Sequence, residues 1–224
     1  KLTYNCMNTP LELLLKNRNY LEIARLQDEV VSILYSLNTK LTFHGGTSIW
    51  RCYGGKRFSF DLDMYVKNYS EISKLMEKLS QNNLYVKKSK SRGEARSIDY
   101  YEVSNKTATI TLEFAQKRTM EAVIATYIKT DGSSIDIFSL SPEALIKEKI
   151  TAYKSRRAIK DLYDIFILAH IADKSKTRTE IYRFISTIGK PVDEKTLPQL
   201  IYDGPIPDYE SMVEYIKRRY EIHW

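Results

Sequence analysis

Cysteine is nearly absent. Cys6 and Cys52 are the only two in 224 residues; they match no zinc-ligand spacing and make a poor disulfide framework. They read as reduced thiols of a cytoplasmic protein. The three histidines, His44, His170 and His223, form no recognisable site and read as structural. No window approaches eighteen consecutive apolar residues, which excludes a membrane-spanning helix. The first twenty residues lack an apolar stretch followed by a small-residue cleavage site, so no secretion signal is expected there. Lys1 is not an initiator Met, and the expectation is that a few residues are missing or removed before it. Repeats and low-complexity tracts are absent too.

What remains is ordinary for a folded domain: 43% hydrophobic and 28% charged residues, with length enough for one large domain or two small ones. The net charge of +7 favours a polyanionic partner such as RNA without deciding the matter. Seventeen tyrosines can stack on bases, although most pack half-buried in any fold.

Apolar spacing predicts helices through residues 10–37, with a break at Asn17-Arg18-Asn19. Strands are expected at 41–44 and 60–66, and then a helix opened by Ser70 with Ile72, Leu75, Met76 and Leu79 on one stripe. Further strands are expected at 84–89, 97–103, 107–114, 122–128 and 134–138. The third of these alternates cleanly, with Ile110, Leu112 and Phe114 on one face and Thr109, Thr111 and Glu113 on the other. At Ser141-Pro142, a good N-cap and first helical residue, the period changes to 3.6. Helices follow at 142–157 and 159–172, and more weakly at 178–188 and 208–221. The order indicates a sheet domain over 1–140 and a helical domain over 141–224.

The most informative stretch is LTFHGGTSIWRCYGGKRFSFDLDMYV, residues 41–66. Asp61 and Asp63, one residue apart on a strand, point to the same face. Two carboxylates there repel unless a cation such as Mg²⁺ keeps both ionised. Upstream, Gly45, Gly46 and Thr47 read as a turn offering bare N–H groups and a hydroxyl to phosphate oxygens. Metal-binding carboxylates beside a phosphate cradle suggest nucleoside triphosphate chemistry.

These motifs, in this order and spacing, resemble the DNA polymerase β-like nucleotidyltransferases, and within them the AbiEii/AbiGii toxin-like family. Gly45-Gly46-Thr47-Ser48-Ile49 is similar to its Gly-Gly-Thr-x-Leu, and Arg57-Phe58-Ser59-Phe60-Asp61-Leu62-Asp63 to its Arg-Phe-Ser-x-Asp-hydrophobic-Asp. Glu148-Lys149 and the block from Arg156 to Asp164 resemble the family's C-terminal motifs. Phe60 stands where an acidic residue is common, and Lys160 where the family repeats an arginine.

The resemblance implies an α+β fold: a nucleotidyltransferase-type mixed sheet with flanking helices, then a helical C-terminal domain. It implies transfer of a nucleotide from an NTP to an acceptor hydroxyl on RNA, such as a tRNA end, by the toxin of a toxin–antitoxin pair. A third carboxylate on a neighbouring strand would complete a site for two Mg²⁺ ions with Asp61 and Asp63. Glu113 is the first choice and Asp136 the alternative. Gly45, Gly46, Thr47, Arg57, Ser59 and Lys149 would hold the triphosphate. Asp161, with Asp164 on the same helix face, would help deprotonate the acceptor or hold Arg156, Arg157 or Lys160. A small-molecule nucleotidyltransferase and a non-catalytic binding module are the alternative readings.

Overall fold

The computed structural model describes residues 9–37, 40–92, 98–119 and 121–222; Cys6 and His223 lie outside them. The expected break in the first helical stretch is a cap. Helix α1 is Leu11–Leu14 and α2 is Arg18–Tyr35, and Asn17 Oδ1 accepts from the N–H groups of Asn19 and Tyr20 at 2.9 and 3.4 Å.

Strand β1 is Thr42–His44, helix α3 Gly45–Cys52, strand β2 Leu62–Val66 and helix α4 Ser70–Gln81. Five strands follow: β3 Tyr85–Arg92, β4 Ile98–Ser104, β5 Thr109–Gln116, β6 Ala122–Ile128 and β7 Ser134–Leu140. They form one seven-stranded sheet in the order β3-β4-β5-β2-β1-β7-β6. The β2–β5 and β1–β7 pairs are parallel and the others antiparallel, so the sheet is mixed. Ser141 caps the next helix, its Oγ accepting from Ala144 N–H at 3.2 Å. That helix, α5, is Pro142–Arg156; α6 is Ile159–Ile171, α7 Lys174–Ser186, α8 Leu197–Leu200 and α9 Tyr209–Tyr220.

Two sequence expectations are corrected here. Gly45-Gly46-Thr47 is not a free turn but the first turn of α3. Gly45 reverses the chain at φ +75° after the extended His44, and burial of Ile49 and Trp50 holds the helix that follows. Eight residues opening on two glycines carry too little periodic signal to be read as a helix. The strand expected from Phe60 begins at Leu62, because side chains take the preceding carbonyls. Gln27 Nε2 donates to Ser59 O (2.9 Å) and Phe60 O (3.0 Å), and Thr47 Oγ1 donates to Asp61 O (2.5 Å).

Two large apolar clusters, and a small one of Leu15, Ala24, Trp50 and Phe58, lie among the described residues. Leu26, Val30 and Leu34 of α2 pack with the helix α4 stripe on one face of the sheet, against Phe43, Met64, Leu112 and Phe114. The second cluster gathers α5, α6, α7 and α9 around Leu162, Ile165, Phe184 and Ile216, and draws in Ile49 of α3 and Leu140 of β7. Helix α3 is therefore shared between sheet and C-terminal helices.

One buried polar knot joins α2, α3 and β6. Asp28 pairs with the fully buried Arg51 and accepts from Tyr127 Oη (3.0 Å), Thr130 N–H (2.8 Å) and Thr130 Oγ1 (2.6 Å). The Asp28 charge, with the Trp50 and Tyr127 rings that Arg51 lies over, makes the cation tolerable at such depth, although Arg51 Nε and Nη1 have no hydrogen-bond partner among the described residues. Asp28→Ala should cost about 3–5 kcal/mol of unfolding free energy, because it strands the Arg51 cation. Denaturant unfolding checks this, and a loss under about 1 kcal/mol, the worth of one neutral hydrogen bond, would contradict it.

Candidate active site

The sheet register brings the carboxylates together. Antiparallel pairing sets His44 opposite Asp63, and parallel pairing sets Asp63 beside Glu113, so the three share one face across β1, β2 and β5. Asp61, two residues earlier and just outside the strand, keeps to this face and takes a hydrogen bond from Thr111 of β5. Burial and then the Asp63 charge raise the Asp61 carboxyl above its ordinary value; Thr111 and Lys160 offset part of this. Burial and then Asp63 likewise raise Glu113, while His44 pulls it back.

The alternative third carboxylate lies elsewhere. Asp136 is exposed, accepts from Thr126 Oγ1 at 3.0 Å, and sits three residues before the Phe43–Ser139 pairing. That is about 10 Å along the strand at the usual rise. Among the described residues no three His, Cys, Asp or Glu side chains converge on a point. The donor set nevertheless suits a hard divalent cation: three carboxylates at adjacent strands, of which Asp61 and Glu113 are raised by burial and then by the Asp63 charge, which a cation would offset.

The N-terminus of α3 abuts this row. A Cβ on Gly45 would collide with the Asp63 carboxylate; one on Gly46 would collide with Arg57 Nη2 and lie 2.7 Å from Ser59 Oγ. Backbone therefore approaches Asp63 and Ser59 as closely as chain geometry allows. His44, the N-cap, makes no side-chain cap bond, which leaves the first N–H groups of α3 open to an anion. Thr47 departs from expectation. It is fully buried and its hydroxyl is donated to Asp61 O, so it fixes the aspartate segment and does not face the cleft.

Arg57, Lys149 and Asp161 come together, but in a chain of ion pairs. Arg57 forks onto Asp164 through Nε (2.6 Å) and Nη2 (2.5 Å). Lys149 Nζ lies 2.7 Å from Asp164 Oδ2 and 3.5 Å from Asp161 Oδ1. Arg156 forks onto Asp161 through Nε (2.7 Å) and Nη2 (2.8 Å). Both aspartates are completely buried. Burial alone would raise the Asp164 carboxyl, but Arg57 and Lys149 overcome it and hold the group below its ordinary value.

Of the two roles expected of Asp161, the structure displays the second: it holds Arg156. The carboxylate is fully buried and both its oxygens are engaged by cations, so in this arrangement it positions them. Its face and its Arg156 partner were readable from sequence; the approach of Lys149 was not.

Two features were missed. Lys160, the second residue of α6, is half-buried; burial, Arg156, Arg57 and Lys149 push its ammonium below the ordinary value, and Asp61 feels its charge. His44, read as structural, stacks on Tyr65 at 3.7 Å and holds Glu148 Oε2 at 3.4 Å from Nδ1. Tyr65 Oη (2.7 Å) and Lys117 Nζ (3.0 Å) donate to the other Glu148 oxygen. Burial opposes ionisation of Glu148, but His44, Tyr65 and Lys117 bring its carboxyl down to about 2. With Glu113 these groups line a cavity of about 690 Å³. The position of His44 at a strand end just before Gly-Gly was the available signal.

A mixed sheet carrying carboxylates on adjacent strands, against the N-terminus of a short helix, defines a nucleotidyltransferase-type fold. JHP933 from Helicobacter pylori shares it with a TM-score of 0.64 at 16% identity, over 92% of each chain. ANT(2″)-Ia, solved with adenylyl-2″-tobramycin, superposes with a TM-score of 0.50 at 14% identity, over 73% of this chain and 97% of its own. No curated protein sequence matches the chain. Residues 32–217 match the profile of the nucleotidyl transferase AbiEii toxin of type IV toxin–antitoxin systems. The chain belongs to that family and is a nucleotidyltransferase.

The raised carboxyls fix a pH dependence. A carboxyl raised in the folded state costs stability once ionised, and that cost disappears at pH values where folded and unfolded forms are both protonated. Asp61→Asn should therefore raise the melting temperature of the ligand-free protein at pH 7, and the gain should shrink as pH falls through the raised value and be gone below the ordinary carboxylate range. Calorimetric scans across pH test this; a lower midpoint at pH 7 would contradict it.

Proposed function

We propose that the protein transfers a nucleotidyl group from an NTP to an acceptor hydroxyl on RNA, such as a tRNA end, using Mg²⁺ held by Asp61, Asp63 and Glu113. The observation that carries this reading is the register pairing Asp63 with Glu113, with Asp61 two residues upstream on the same face. Asp61, Asp63 and Glu113 would hold up to two Mg²⁺ ions, whose chemistry there would be to neutralise triphosphate charge and lower the pKa of the attacking hydroxyl. The open N–H groups of Gly45 and Gly46, with Ser59, would receive phosphate oxygens. Arg57 and Lys149 act through the ion-pair chain, holding the Arg57–Asp63 segment against α5 and α6.

In the reaction the acceptor oxygen bonds to the α-phosphorus, the bond from that phosphorus to the β-bridging oxygen breaks, and pyrophosphate leaves. The acceptor proton passes to solvent. The sheet domain, residues 1–140, would carry metal and nucleotide, and residues 141–224 would close the cleft. As a family toxin the protein would have an antitoxin partner and act in the cytoplasm; no helix among the described residues is long and apolar enough to cross a membrane.

A second reading has its own observation. The cavity of about 690 Å³ beside Glu113, lined also by Glu121, Lys117 and Lys147, has room for a small-molecule acceptor. Polynucleotide affinity that falls steeply with salt would argue for RNA over that acceptor.

Asp61→Asn and Asp63→Asn should each abolish transfer while the protein stays folded. Residual activity within about tenfold of wild type, a loss of only ~1.4 kcal/mol in transition-state stabilisation, would sink the metal role. Mg²⁺ with the preferred NTP, at about a hundred times its dissociation constant, should stabilise the fold by about 2.7 kcal/mol. Thermal shift with each NTP, with and without Mg²⁺, measures this, and no metal-dependent shift would count against the reading.

A further inference from the structure

We infer that Lys160 is the cation that grips the phosphate tail of the incoming NTP and neutralises the leaving pyrophosphate. The inference rests on the nucleotidyl-transfer reading and names a phosphate-binding side chain for it. Charge is distributed unevenly around the site. Arg57, Lys149 and Arg156 are all engaged with Asp161 and Asp164. Four cations, Lys160 included, gather around those two buried carboxylates, and the Lys160 charge also reaches Asp61. Lys160 is the member of the group with no ion pair or hydrogen bond among the described residues, although it is half-buried.

Its position aggravates this. Lys160 lies in the first turn of α6, where the helix dipole favours an anion and disfavours an ammonium. A half-buried cation at that end, beside three other cations, is costly unless an anion arrives to share it. Its charge is felt at Asp61, which puts it at the edge of the proposed metal site. The open N–H groups of α3 and Ser59 lie against the same carboxylates. A polyphosphate fits between them: the α-phosphate at the carboxylates, the tail toward Lys160. Lysine supplies a compact charge that a departing pyrophosphate can leave without breaking a fork of paired hydrogen bonds.

The test compares wild type, Lys160→Met and Lys160→Arg by calorimetric titration with Mg²⁺ and each of the four common NTPs, and separately with inorganic tripolyphosphate. Lys160→Met should weaken both ligands at least tenfold and leave the ligand-free melting temperature unchanged or higher, since it removes a half-buried charge held beside three other cations. Lys160→Arg should stay within about threefold of wild type. Wild-type affinity in Lys160→Met, or an equal loss in both variants, would overturn the assignment while leaving nucleotidyl transfer intact. A wild-type protein that binds none of these ligands would overturn the nucleotidyl reading and this inference with it.

Discussion

The ion-pair chain Arg57–Asp164–Lys149–Asp161–Arg156 is what the geometry of the site depends on. Its two carboxylates are fully buried, and carboxylates at that depth are tolerable only while their cations stay in place. Because Arg57 comes from the segment before Asp61 and Lys149 from α5, satisfying those charges forces sheet and C-terminal helices into one relation. Neutral side chains of similar volume would cost less to bury, so the chain is better understood as a device for register than as a source of stability. Around it the segment is tied at every residue. Phe58 N–H reaches Leu200 O at 2.8 Å, Gln27 takes the Ser59 and Phe60 carbonyls, and Thr47 takes that of Asp61. Asp61 and Asp63 are thus held by backbone as well as by strand pairing.

Such fastening suits carboxylates that repel one another. Asp61 and Glu113 are both raised by burial and by Asp63, a cost that the apo fold carries and a bound cation would remove. On one side of them sits the cationic group around Lys160, on another the cavity where Glu148, His44, Tyr65 and Lys117 form a closed hydrogen-bonded set. Negative charge at the centre, positive charge on one flank and a walled cavity on the other is an arrangement for a polyphosphate that must meet a second substrate.

Much of this was legible in the sequence, unevenly. The alternation of Ile110, Leu112 and Phe114 against Thr109, Thr111 and Glu113 is a property of neighbours, and the strand follows it. The Ser141-Pro142 cap is local in the same way. The Asp61/Asp63 pair was readable because two charges in an apolar run conflict with strand packing unless something binds them. Failures came where a partner had to arrive from far along the chain. Nothing near Arg57 announces Asp164, 107 residues later, and His44 joins the carboxylate row only through β1–β2 register. The helical turn at Gly45 was hidden for another reason: glycine disfavours helix by about 1 kcal/mol relative to alanine, so Gly45-Gly46 reads as a turn.

The most direct test of nucleotidyl transfer is the fate of the label. The protein, Mg²⁺ and total RNA are incubated with NTPs labelled at the α-phosphate or, in parallel, at the γ-phosphate. The expected result is α-label in the RNA and γ-label in free pyrophosphate. Label from the γ-position on the RNA, or none from either on RNA or any small hydroxyl acceptor, would contradict the account.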